Sequence, residues 1–157
     1  MTRQVRGFAL FLAVGVVLGC GGSKAVAPEP PPLPVDVQVI ASGRLNPDEQ
    51  GESLPTVVRL YVLKSATRLE RAEYEPVYRD PKEVLGDDLL QADELVLSPG
   101  QTVRRSLDRD RSAHALAVVA VVRRPAGLSW RAIAELPPPA QRGPLTFQVE
   151  GYRVERR

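Results

Sequence analysis

The sequence predicts a mainly β domain, a two-sheet β-sandwich interrupted by a short helical insertion. Three observations predict it: stretches in which apolar and polar residues alternate, one unbroken β-branched run, and proline or glycine punctuation between these segments.

The first alternating stretch sets Val35, Val37, Val39 and Ala41 against Asp36 and Gln38, which turns one apolar face inward along an extended segment. Val58, Leu60 and Val62 repeat the pattern against Arg59 and Tyr61. After the turn signal Pro99-Gly100, Val103 and Leu107 share a face opposite Thr102, Arg104 and Ser106. Ala115 to Val122 is apolar throughout and valine-rich, as suits a central strand buried on both faces, although periodicity alone leaves a buried helix open. Trp130, Ala132 and Ala134 then alternate with Arg131, Ile133 and Glu135 until Pro137-Pro138-Pro139 ends the stretch. Leu145, Phe147 and Val149 form the last clear face; at Gly151 the phase slips to Tyr152 and Val154, which suggests a bulge.

Two short helices are expected between the second and third strands. Thr67-Arg68-Leu69-Glu70 has capping-box spacing, and Pro76 limits that helix. Asp80 can cap a second one, with Pro81 at its first position and Gly86 at its end. About seven strands with such an insertion suit a sandwich better than a barrel.

The N-terminal residues read as an export signal. Arg3 and Arg6 precede an apolar or glycine run from Phe8 to Leu18, and Val17-Leu18-Gly19-Cys20 closes it. The run is too short for a spanning helix, which needs roughly 20 apolar residues. Cys20 is the only cysteine, so an intramolecular disulfide is excluded. Its setting resembles the lipobox of bacterial lipoproteins, with Cys20 lipidated and first in the mature chain; an ordinary signal peptide with an incidental cysteine is the alternative. Two or three acyl chains on one cysteine hold a protein almost permanently, since each buried methylene contributes about 0.8 kcal/mol. In such lipoproteins an Asp after the cysteine can retain the product at the inner membrane. Gly21 and Gly22 stand there instead, so the expected location is the outer membrane, on its periplasmic face.

The expected organisation is therefore a signal peptide over residues 1–19, a lipidated cysteine with a proline-rich tether over 20–34, and one sandwich domain over 35–157. Residues 1–19 hold two arginines and no acid, leaving nineteen basic and nineteen acidic residues in the mature chain. That neutrality gives no support to a nucleic-acid surface. The tether, with Pro28, Pro30, Pro31, Pro32 and Pro34, favours an extended polyproline II path.

Catalytic chemistry has little material. His114 is the only histidine, so a Cys-His pair or a multi-histidine metal site cannot be assembled, and a serine triad would depend on that one residue. Asp87-Asp88 and Asp108-Arg109-Asp110-Arg111 read as solvated turns before they read as paired acids, and no phosphate-binding glycine loop is present. No cofactor, metal or small-molecule substrate is expected beyond the covalent lipid on Cys20. The segment Ser42 to Pro55 is longer than the two to five residues a hairpin needs, which makes it either a functional loop or a plain surface loop.

Several segments together are similar to one family. Val39-Ile40-Ala41-Ser42, Leu45-Asn46-Pro47-Asp48, Gly51 and Pro55 through Leu63 come in an order that resembles the TssJ (SciN/VasD) lipoproteins of type VI secretion systems. Leu69, Ala72 and Tyr74, then Leu85-Gly86-Asp87-Asp88-Leu89, Leu97-Ser98-Pro99-Gly100 and Trp130-Arg131, follow at matching intervals, with Leu69 where the family usually has an aromatic. The resemblance implies a transthyretin-like sandwich and a non-catalytic, outer-membrane-anchored lipoprotein that binds the periplasmic domain of TssM and, through it, TssL. It also implies that the connection between the first two strands takes part in the contact, here Arg44, Leu45, Asn46, Pro47, Asp48, Glu49, Gln50, Gly51, Glu52, Ser53 and Leu54. An enzyme of transthyretin-like fold and a generic ligand-binding lipoprotein outside secretion remain the alternatives.

Overall fold

A computed structural model describes residues 33–138 and 143–157 of the chain. The expected signal peptide, Cys20 and most of the tether lie outside the described residues.

Eight strands form two four-stranded sheets. Along the chain they are β1 (Leu33–Leu45), β2 (Thr56–Leu63), β3 (Leu89–Leu97), β4 (Thr102–Arg109), β5 (Ala115–Ala120), β6 (Arg131–Glu135), β7 (Leu145–Gly151) and β8 (Arg153–Arg156). One sheet has the order β4-β1-β7-β8 and the other β3-β2-β5-β6. All pairs are antiparallel except β1 with β7, which is parallel. β1 starts at Leu33, so Leu33 and Pro34 of the segment read as tether belong to the sandwich. Pro34 is tolerated because only β4 pairs with the strand there; β7 joins at Val37.

The inward faces follow the alternation. Val35, Val37, Val39 and Ala41 of β1, with Phe147 and Val149 of β7, meet Val58, Leu60 and Val62 of β2 and Leu116 and Val118 of β5 in one buried core. Every residue of β5 is buried, as its composition predicts for a central strand covered on both faces.

The outer cover comes from the insertion after β2. It is larger than expected: α1 (Thr67–Arg71), α2 (Tyr74–Arg79) and α3 (Pro81–Leu85) are followed by a 3-10 turn over Gly86–Asp88. Leu69, Val77 and Leu85, one from each helix, are fully buried. The Thr67 capping box does not form, because Ala66 takes the N-cap position and Thr67 is already helical; Ser65 Oγ instead accepts from the Thr67 N–H at 3.3 Å. The second cap does form, with Asp80 Oδ1 accepting from the Glu83 N–H at 3.0 Å. Pro76 does not end a helix but sits in the first turn of α2, where an N–H has no intrahelical acceptor to lose.

This cover explains why Tyr61, expected on a polar face, is completely buried. Arg131 ties the layers together. Its guanidinium lies 4.5 Å from the Trp130 ring centre and donates to the carbonyls of Ala72 and Glu70 at the end of α1, replacing partners those carbonyls lack in a terminated helix. Tyr74 of α2 meets Trp130 edge-on at 5.4 Å and donates its hydroxyl to the Val122 carbonyl.

β3 has no counterpart in the sequence expectation. It is an edge strand in which Asp93 and Glu94 divide the apolar residues, a composition that blunts pairing with other chains and also hides the strand. Asp93 meets Arg105 of the neighbouring edge strand β4 at 3.6 Å, closing that side of the sandwich. Gly151 is not at a bulge. With a φ of 56° it opens a two-residue turn between Glu150 and Arg153, the first central position that favours glycine. The irregularity lies across the sheet in β1, whose register against β7 shifts between Ala41 and Leu45.

The Tyr61 hydroxyl has no hydrogen-bond partner among the described residues. Burial raises the Tyr61 pKa, opposed by the charge of nearby Arg59. A phenol whose folded pKa is raised stays neutral while the unfolded chain ionises, so its contribution is intact below about pH 10 and is lost as pH rises through the folded value. Tyr61→Phe is therefore expected to change stability by no more than about 1 kcal/mol at neutral pH, since no protein hydrogen bond is lost. Urea unfolding repeated above about pH 10 should show a shallower loss for the variant than for the wild type.

Candidate partner-binding surface

The connection from β1 to β2 is held at both ends and in its middle. At its start Asn46 adopts a φ of 42°, the only non-glycine among the described residues with positive φ. Its side chain is buried, and Oδ1 accepts from the Arg123 N–H at 2.9 Å, while its own N–H donates to the Gly151 carbonyl at 2.8 Å. Asparagine suits this place because it tolerates the left-handed region and brings an acceptor. Pro47 is buried beside it, and its carbonyl accepts from the Tyr152 hydroxyl at 2.7 Å.

Asp48 organises the tip. Its Oδ1 accepts from the N–H groups of Gln50 at 2.9 Å and Glu52 at 2.8 Å, and Gly51 completes the turn with a φ of 87°. The return leg is closed by the Leu54 N–H donating to the Leu45 carbonyl at 2.9 Å and by Ser53 Oγ donating to the Gly43 carbonyl at 2.9 Å.

The eleven residues from Arg44 to Leu54 therefore divide by position. Leu45, Asn46 and Pro47 are buried and support the loop; Asp48, Ser53 and Leu54 are partly exposed; Arg44, Glu49, Gln50, Gly51 and Glu52 face solvent. The supporting role of Asn46, Pro47 and Tyr152 was not read from the sequence, although an Asn-Pro pair directly after a β pattern was a turn signal.

Beside the loop lies an open groove of about 570 Å³. The loop lines it with Arg44 and Pro47, the β5–β6 connection with Arg124 and Ala126, and the β7–β8 hairpin with Tyr152 and Arg153.

The residues weighed for catalysis do not converge. His114 is exposed at the start of β5, and its backbone N–H bonds to the Leu63 carbonyl at 2.9 Å. Asp110 accepts from the Ser112 N–H at 2.7 Å and hydroxyl at 2.6 Å, bonds that hold its carboxyl below the usual carboxylate range. Asp88 pairs with Arg68 at 3.2 Å. Among the described residues no group of three His, Cys, Asp or Glu side chains could hold a metal ion, and no helix is long and apolar enough to cross a membrane.

Residues 33–152 match the family described as type VI secretion lipoprotein, VasD, EvfM, TssJ. The chain belongs to this family. Members of the TssJ family are lipoproteins, and the coarse placement that follows is a membrane-associated component of the secretion apparatus. The chain is 30% identical to the lipoprotein TssJ1 from Pseudomonas aeruginosa, with a TM-score of 0.68, over 81% of this chain and 98% of that one. It shares its fold, at 24% identity and a TM-score of 0.71, with Serratia marcescens Lip, described as a membrane bound component of the type VI secretion system, over 80% and 96% of the two chains. A chain in the structure described as the TssM C-terminal domain from EAEC has the same fold, at 22% identity and a TM-score of 0.67, over 78% and 96%. No curated protein sequence matches.

The positive φ of Asn46 and its bond to Arg123 separate two effects. Asn46→Ala loses both and is expected to destabilise by about 2 kcal/mol. Asn46→Gly keeps the backbone freedom and should lose about 1 kcal/mol less, as compared by urea unfolding midpoints.

Proposed function

We propose that this TssJ-family protein is a non-catalytic assembly lipoprotein, anchored by lipid on Cys20 to the periplasmic face of the outer membrane. In this reading it binds the periplasmic domain of TssM through the β1–β2 loop and connects through TssM to TssL.

The observation that carries the reading is the loop itself. Asn46 and Asp48 hold the backbone beneath exposed Arg44, Glu49, Gln50 and Glu52, so the loop itself has little backbone ordering left to lose on binding. The loop leaves β1 at Leu45, whereas the chain reaches β1 from Cys20 at Leu33. Thirteen residues of strand span about 40 Å, so Leu33 and the loop lie at opposite ends of β1. The occurrence of this fold in a structure described by TssM supports the choice of partner. Outer-membrane placement is supported by Gly21 and Gly22 after Cys20.

In the mature lipoprotein held in detergent, Glu49→Ala/Gln50→Ala/Glu52→Ala should weaken binding to the TssM periplasmic region at least tenfold, about 1.4 kcal/mol, with an unchanged unfolding midpoint. Undiminished affinity in a calorimetric titration rejects the loop assignment. Cys20→Ser should abolish acylation by mass spectrometry and move the protein from the outer-membrane fraction to the soluble fraction. An unmodified wild-type N-terminus would reject the anchor.

A further inference from the structure

We infer that the groove beside the loop is a second docking element, built for an extended, carboxylate-bearing segment of the same protein partner. The inference rests on the proposed TssM contact and adds to it a surface outside the loop.

Three segments that are distant in sequence converge on this groove, and each contributes an arginine: Arg44 at the end of β1, Arg124 in the β5–β6 connection and Arg153 at the start of β8. The lining also includes the apolar Pro47 and Ala126 and the aromatic Tyr152. Glu150 and Glu155 share the lining, and Glu155 stands 3.6 Å from Arg153, so that one cation is partly balanced. Among the described residues Arg44 and Arg124 have no carboxylate within ion-pair distance. Both side chains are exposed.

Like charges at one mouth repel, so a partner that brings carboxylates gains attraction and relieves that repulsion together. Arginine and tyrosine are also the residue types that carry binding energy at protein interfaces. The groove has a firm frame. The Tyr152 hydroxyl is bonded to Pro47, Arg123 meets Asn46 through its backbone, and the Val154 N–H donates to the Ser129 carbonyl at 2.8 Å. The same β5–β6 connection exposes Leu128 to 62%, an apolar contact point on its outer side. Because Arg44 and Pro47 belong to both the loop and the groove, a segment seated in the groove continues the surface formed by the loop.

The test uses the mature lipoprotein in detergent and Arg124→Glu/Arg153→Glu, which leaves residues 44–54 intact. The expected result is an affinity for the TssM periplasmic region at least tenfold weaker, with the same unfolding midpoint. Wild-type affinity should also fall more steeply than that of the variant between about 50 mM and 500 mM NaCl. Arg71→Glu/Lys82→Glu, the same charge change on the helices, should stay within twofold. Three results would overturn the inference. If the groove variant binds within twofold while the Glu49/Gln50/Glu52 variant loses affinity, the groove is rejected and the loop contact stands. If the helix control loses as much, the effect is general charge and the groove is rejected. If neither loop nor groove variant loses affinity, both readings fail together.

Discussion

Burial of the second sheet on both faces is the constraint on which the rest of this structure depends. β2 and β5 carry apolar or wholly buried residues toward the facing sheet and away from it, so a two-layer sandwich alone would leave Tyr61, Leu63, Ala117 and Val119 in water. Helices α1 to α3 supply the missing layer, and none of them is long enough to be stable in isolation. They persist because each contributes one fully buried side chain and because Arg131 holds the end of α1. Burial lowers the Arg131 pKa, with nearby Glu70 opposing, and its carbonyl contacts and the Trp130 face take the place of water around the guanidinium.

The same economy of contacts governs the β1–β2 connection. It is long by hairpin standards, yet its backbone is bonded to β7 and to itself, and the Asn46 side chain ties it to the β5–β6 connection. A loop constrained in this way can present charged side chains in fixed relation to its neighbours. That relation makes the groove beside it a property of the fold rather than of one segment.

Much of this was legible in the residues, for a physical reason. Strands that bury one face must alternate, and β1, β2 and β7 do; a strand buried on both faces must be apolar throughout, and β5 is. What escaped were features set by neighbours far away in sequence. β3 mixes Asp93 and Glu94 with its leucines because only one edge of it is paired. Tyr61 has polar-face parity but lies beneath helices that the alternation does not announce. Asn46 and Pro47 look like ordinary loop residues until Arg123 and Tyr152 are brought against them, 77 and 105 positions away. The lining of the groove could not be foreseen for the same reason, since its arginines come from three segments far apart in the chain.

β1 enters at Leu33 and leaves at Leu45, with β4 along one side and β7 along the other. A pull applied between those two ends runs along the strand axis, and its flanking ladders then resist as rows loaded in shear, many bonds at once, rather than being peeled singly. This geometry gives the first sheet a stiff tension member, flanked on both sides.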